Sequence, residues 1–277
     1  MMTPLTTLAI LLLTATGAAP TPLKPPVGPV KVAVLLSDGA TMIDFAGPWE
    51  VFQDVTRPGG GDGFELYTVS ETKRPIRVSG GMQVVPDHAF ATAPQPNVVV
   101  IPAQGGGGEA AQAWIRRVAP NADVVMSVCT GAFILAGTGL LDGQGATTHH
   151  DFYGAFERRF PKVKLMRGRR FVEQWKTATA GGLTSGIDLA LRVVERYYGR
   201  QTAERTAYYL EYQSEGWKDS TGGANAVYAA QPVKAGGAVC PICDMDVAKD
   251  GSPSLTAKGT THWFCSESCK EAFIQRQ

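Results

Sequence analysis

The chain has 277 residues, 44% of them hydrophobic, and a net charge of +1. That is enough for one large domain plus something small. The charge balance, with no basic stripe and no acidic tail, gives no footprint for nucleic acid and no solvating segment.

The first residues stand apart. "LTTLAILLLTATGAAP" carries an apolar run of secretory length followed by small residues, with Ala18 or Ala19 before a candidate cleavage site. Residues 1–19 therefore read as a signal peptide or export segment, although "MMTP" supplies no Lys or Arg. Residues 20–29 form a proline-rich spacer. Export places the protein in the periplasm or outside the cell, an oxidising compartment.

Residues 30–36 are almost continuously apolar and predict a buried strand. Pro48 suits a first helical turn, so a helix is expected from there to about Val55. "FELYTVS" is a second strand, and "IRVSGGMQVVPDHAF" predicts a hairpin turning at Gly80 and Gly81. "NVVVIPAQGGGG" is a buried strand that enters a glycine loop, and "EAAQAWIRRVA" is helical. "ADVVMSV" is a strand that ends at Cys129, where a helix begins. "GATTHH" predicts a short strand, "DFYGAFERRF" a helix and "FVEQWKTATA" a strand. "TSGIDLALRVVERYYG" is a helix with Ser185 and Asp188 spaced as a capping box and Gly199 as terminator. "QTAERTAYYLEY" is the last helix of this unit. Alternation of strands and helices predicts an α/β fold with a mostly parallel sheet and helices on both faces. Ligands bind such sheets at the carboxyl ends of the strands, which here are residues 37–44, 102–108 and 129–131. Residues 214–237 lack periodicity and read as a tail of the first domain plus a linker.

The five cysteines divide four and one. Cys129 sits alone at a strand–helix seam. Free cysteine is often simply buried, so packing explains it in one reading. In the other it is a nucleophile on a tight turn. There the helix dipole would lower its pKa, and the N–H groups of Thr130 and Gly131 would stabilise developing negative charge. Asp44, in the apolar setting "MIDFAGP", is either the N-cap of the helix at Pro48 or a functional carboxyl with a raised pKa. His149 and His150 reach the same sheet edge, but no histidine neighbours Cys129 in sequence. That disfavours a cysteine–histidine–acid hydrolase.

"SVCTGAFILAGTGLLDGQGATTHH", "IDFAGPWEVF" and "GGLTSGIDLALRVVERYYG" together resemble the ThiJ/PfpI superfamily, over residues 30–213. The resemblance implies the flavodoxin-like, class I glutamine-amidotransferase-like fold, and is greatest to the isocyanide hydratase branch and the amidase-like domain of certain AraC-type regulators. It implies that Cys129 is the nucleophile and that Asp44 is its acidic partner. The Thr130 N–H would bind substrate, and Gly105 and Gly106 would be oxyanion donors in "PAQGGGG". Ala103 and Gln104 stand where the family usually has glycine, and His150 replaces a tryptophan. The implied reaction adds water to an isocyanide to give an N-formamide. It needs a small-molecule substrate and no cofactor in this domain. Family members commonly dimerise, so a homodimer is the expectation the resemblance carries.

The last forty residues hold Cys240-x-x-Cys243, twenty-one further residues, then Cys265-x-x-x-Cys269. Two close cysteine pairs have the spacing of a four-thiolate metal site, and so short a segment needs a metal or disulfides to fold. Soft thiolates favour zinc or copper(I); two disulfides are the alternative. Residues 238–277 resemble the YHS domain through Cys240, Pro241, Cys243, Met245, Phe264, Cys265, Ser266, Cys269 and Phe273, with Asp244 in place of a glycine. Such domains accompany heavy-metal and copper handling proteins. Two functions are therefore expected. One is an exported hydratase-like lyase with a metal-binding tail. The alternative is an exported metal-handling or redox-responsive binding protein with a non-hydratase ThiJ/PfpI domain.

Overall fold

The computed structural model describes residues 21–105, 108–224, 226–229, 237–242 and 246–275. The export segment expected at 1–19, together with Gly106 and Cys243, lies outside the described residues.

Seven strands form the central sheet: β1 (Val30–Leu35), β2 (Phe64–Ser70), β3 (His88–Ala89), β4 (Val98–Ile101), β5 (Val124–Val128), β6 (Phe171–Glu173) and β7 (Thr177–Ala180). Their order is β6-β7-β5-β4-β1-β2-β3. All neighbours are parallel except β6 and β7. Every residue of β4 and β5 is buried, as expected for strands covered on both faces. Alternate side chains of β1 enter two different cores. Val30, Val32 and Val34 pack with α1 (Met42–Gln53), α5 (Ser185–Tyr198) and α6 (Arg200–Tyr209). Ala33 and Leu35 pack on the opposite face with α2 (Glu109–Val118), α3 (Gly131–Gly137) and α4 (Tyr153–Arg159). The period-2 side-chain alternation of a strand thus builds a three-layer sandwich.

Three local expectations change. The segment 171–180 is two antiparallel strands, because the Gln174 N–H bonds back to the Thr177 carbonyl at 2.8 Å and turns the chain. Helix α1 begins six residues before Pro48, which lies inside it. Asp188 does not cap α5; its carboxylate pairs with Arg170 and accepts from the Tyr212 hydroxyl at 2.9 Å. The hairpin at Gly80 and Gly81 forms as expected, pairing Ile76–Arg77 with Gln83–Val84.

The packed unit continues past residue 213. Trp217 is buried in the core beneath α5 and α6, and Ala224 bridges to Arg169. The segment 214–224 is therefore a tail of the larger fold.

In the C-terminal region, β8 (Ala238–Val239) pairs with β9 (Asp246–Val247), and β10 (Ser254–Ala257) pairs with β11 (Thr260–Trp263), before α7 (Glu267–Gln275). Among the described residues its buried centre is Cys240, Val247 and Phe264, flanked by Ile242, Leu255, Trp263, Cys269 and Phe273. So small a core calls for a staple.

Candidate active site

Cys129 follows β5 with φ of +59°, a left-handed conformation for a residue that has a side chain. Such strain persists only where the surroundings hold it. Here the Cys129 N–H donates to the Gly181 and Ala180 carbonyls at 2.7 and 3.2 Å. The Cys129 carbonyl accepts from the Thr148 hydroxyl at 2.9 Å. The elbow is thus clamped by β7 and by the segment after Ala146. Thr130 is the N-cap of α3, and its N–H acts on the Cys129 sulfur. Gly131 is buried against β4: a Cβ there would lie 2.1 Å from the Ile101 carbonyl oxygen and 2.8 Å from that of Pro102. Its smallness serves helix–strand packing.

Asp44 is completely buried in the first turn of α1. Thr41 occupies the N-cap position, which removes the capping reading. The Asp44 Oδ2 accepts from the Ala103 N–H at 3.2 Å. The Cys129 thiol and the Leu183 N–H also act on the carboxyl and favour its charged form.

Burial raises the Asp44 pKa to about 6, opposed by the N–H of Ala103, the Cys129 thiol and the N–H of Leu183. Burial and the Asp44 charge push the Cys129 thiol up to about 12, against the N–H groups of Thr130 and Leu183. The expected dipole-lowered thiol is therefore corrected: desolvation and a neighbouring carboxylate outweigh one short helix. The two groups titrate as a pair. Between about 6 and about 12 the pair holds one proton and one negative charge. Transfer of that proton from sulfur to carboxyl yields a thiolate and a neutral acid side by side.

The loop after β4 is held elsewhere. The Gly105 N–H donates to the Asp38 carbonyl at 3.1 Å. It is thus engaged and is not the open oxyanion donor that was expected. Leu183 was not singled out from the sequence. It too is left-handed, with φ of +53°, and its N–H acts on both Cys129 and Asp44. The only sequence signal was the adjacent Gly181–Gly182 pair. Gly182 is explained by close approach, since a Cβ there would meet His149 at 2.3 Å.

An open cavity of about 420 Å³ adjoins this elbow, with Thr148, His150, Gly181, Leu183 and Tyr228 among its walls. His149 stacks on His150 at 4.2 Å, and Tyr228 covers the other face of His150 at 4.1 Å. His149, His150 and Asp151 have ligand atoms within 4.8 Å of one another.

The C-terminal thiols converge. Sulfurs of Cys240, Cys265 and Cys269 lie within 4.8 Å of one another, with Cys265 and Cys269 at 3.5 Å. Tetrahedral zinc with sulfurs at about 2.3 Å would space them about 3.7 Å apart. This cluster can bind a metal.

Comparison with known proteins agrees with the fold. The DJ-1/PfpI family matches residues 30–196, and the chain belongs to that family. Isonitrile hydratase of Pseudomonas putida is 30% identical over 189 residues, covering 66% of this chain and 78% of that protein. The transcriptional regulator GbdR of Pseudomonas aeruginosa is 28% identical over 193 residues, and the chain spans 51% of its length. The crystal structure of a ThiJ/PfpI family protein from Pseudomonas syringae matches with a TM-score of 0.59 at 27% identity, covering 68% of this chain and 77% of that one.

Proposed function

We propose that the large domain is an isocyanide hydratase-like lyase. The observation that carries this reading is the buried Asp44 carboxyl set beside the buried Cys129 thiol at the sheet edge. The similarity to isonitrile hydratase supports it. Cys129 gives its proton to Asp44 and attacks the terminal isocyanide carbon, forming the C–S bond. Asp44 then protonates that carbon, which leaves a thioimidate and a carboxylate. Water adds to the thioimidate carbon as Asp44 takes one of its protons and passes it to nitrogen. The C–S bond then breaks, the hydroxyl proton returns to the enzyme pair, and N-formamide leaves. One nucleophile and one proton shuttle suffice. The N–H groups of Thr130 and Leu183 stabilise the sulfur whenever it carries charge. Hydration in ¹⁸O-labelled water tests this reaction: the formamide must carry one labelled oxygen, and an unlabelled product excludes it.

The converging thiols of Cys240, Cys265 and Cys269 support a second element of the proposal. Residues 238–277 form a YHS-type metal-binding domain, with Cys243 as the fourth ligand, and would hold zinc or copper(I). Such an ion would supply the cross-link that the small core lacks. With the apolar leader at 1–19, the reading is an exported protein. Should the large domain prove inactive, the thiol cluster favours an exported metal-handling or redox-responsive binding protein.

A further inference from the structure

Residues 103, 104 and 105 meet the loop after β1 rung by rung. The Ala103 carbonyl accepts from the Thr41 N–H at 2.7 Å, and the Gly105 N–H donates to Asp38 at 3.1 Å. Between them, the Gln104 Oε1 accepts from the Ser37 N–H at 2.6 Å and the Ser37 hydroxyl at 3.0 Å. The Gln104 Nε2 donates to the Leu35 carbonyl at 3.3 Å. One side chain thus uses both ends of its amide to join the exits of β4 and β1. A glycine at this position would make none of these three bonds.

The consequence falls on Asp44. Its Oδ2 accepts at 3.2 Å from the N–H of Ala103, the residue next to Gln104, and its own N–H is tied to Thr41 at 3.1 Å. Thr41 and Ala103 are bonded to each other, so the carboxyl and its donor belong to one braced unit. We propose that Gln104 is a positioning residue that holds the Ala103 amide on Asp44 and thereby sets the protonation of the Asp44–Cys129 pair. The shuttle role of Asp44 rests on the hydratase reading; the bracing itself does not.

The groups acting on Asp44 are the Cys129 thiol from the elbow after β5, the Ala103 N–H from the loop after β4 and the Leu183 N–H from the loop after β7. Each of the three favours its charged form. Loosening the Ala103 N–H removes a donor from the carboxylate and leaves its desolvation in place, so the first deprotonation of the pair moves to higher pH.

The test is Cys129 alkylation by iodoacetamide as a function of pH, followed by mass spectrometry of the Cys129 peptide in the full chain. This readout does not depend on any hydratase activity. Gln104→Met keeps volume and removes all three hydrogen bonds. Ser37→Ala removes one of them and keeps the proposal testable should Gln104→Met fail to fold. The lower midpoint of the alkylation profile is expected to rise by about half a unit or more in Gln104→Met, and by less in Ser37→Ala. Midpoints unmoved in folded variants would overturn the proposal. A shifted midpoint in a chain that makes no formamide would uphold the bracing and reject the hydratase reading.

Discussion

The Asp44 carboxyl is held against the Cys129 thiol by elements from opposite faces of the sheet, α1 and the β5–α3 elbow. Neither group is arranged to ionise freely. Burial raises both, and the result is a pair that keeps one mobile proton.

This arrangement sets activity against stability. The Asp44 carboxyl is raised from 3.8 to about 6, so the folded chain binds more protons than the unfolded one between those values. Stability contributed by the neutral acid is present at low pH and is lost as pH rises through about 6, by about 2–3 kcal/mol. Asp44→Asn is expected to lower turnover by about 10²-fold or more. The same variant should melt at higher temperature than the parent at pH 8, with the gap closing below about pH 4. Melting curves at the two pH values check the sign.

The elbow stores local strain. Cys129→Gly relieves the left-handed cost that Cys129→Ala retains, and this exceeds the added chain entropy, so the glycine variant should be the more stable by about 0.5 kcal/mol. Urea denaturation of the two variants decides it. A glycine variant clearly less stable than the alanine one would show that Cys129 φ is not under strain.

Gly131 is predicted to be irreplaceable for packing reasons. A Cβ would collide with the Ile101 and Pro102 carbonyls, whose strand is fixed inside the sheet. Gly131→Ala should cost about 3 kcal/mol or more, or prevent folding. Normal denaturation would contradict the close approach of α3 to β4.

The C-terminal thiols predict bound metal. Elemental analysis of the purified chain should give about one zinc or copper per chain. Cys269→Ser and Cys243→Ser should each lower that ratio, and unchanged stoichiometry would reject the thiolate site.

Much of this was legible in the sequence because burial on two faces leaves continuous apolar strands, and a strand–cysteine–helix seam has few structural meanings. The order of strands and helices and the elbow follow from that logic, whereas the pairing of Asp44 with Cys129 came only from the resemblance to the ThiJ/PfpI superfamily. What was not legible depended on tertiary contacts. Pro48 reads as a helix start, yet α1 extends through it because Thr41 and Asp44 are anchored to Ala103. Gly105 was an expected oxyanion donor through the resemblance alone, whereas its N–H is taken by the Asp38 carbonyl. The thiol was read from the helix dipole alone, and desolvation reversed the sign. Leu183 carried no signal of its own, since a backbone N–H is the same in every residue but proline.

The central claim is that Cys129 and Asp44 hydrate an isocyanide. The most direct measurement is N-formamide production from a simple aryl isocyanide by the purified chain, beside Cys129→Ala. The account predicts product from the parent and none above the uncatalysed rate from the folded variant. Equal product from both, or none from a well-folded parent, would contradict it.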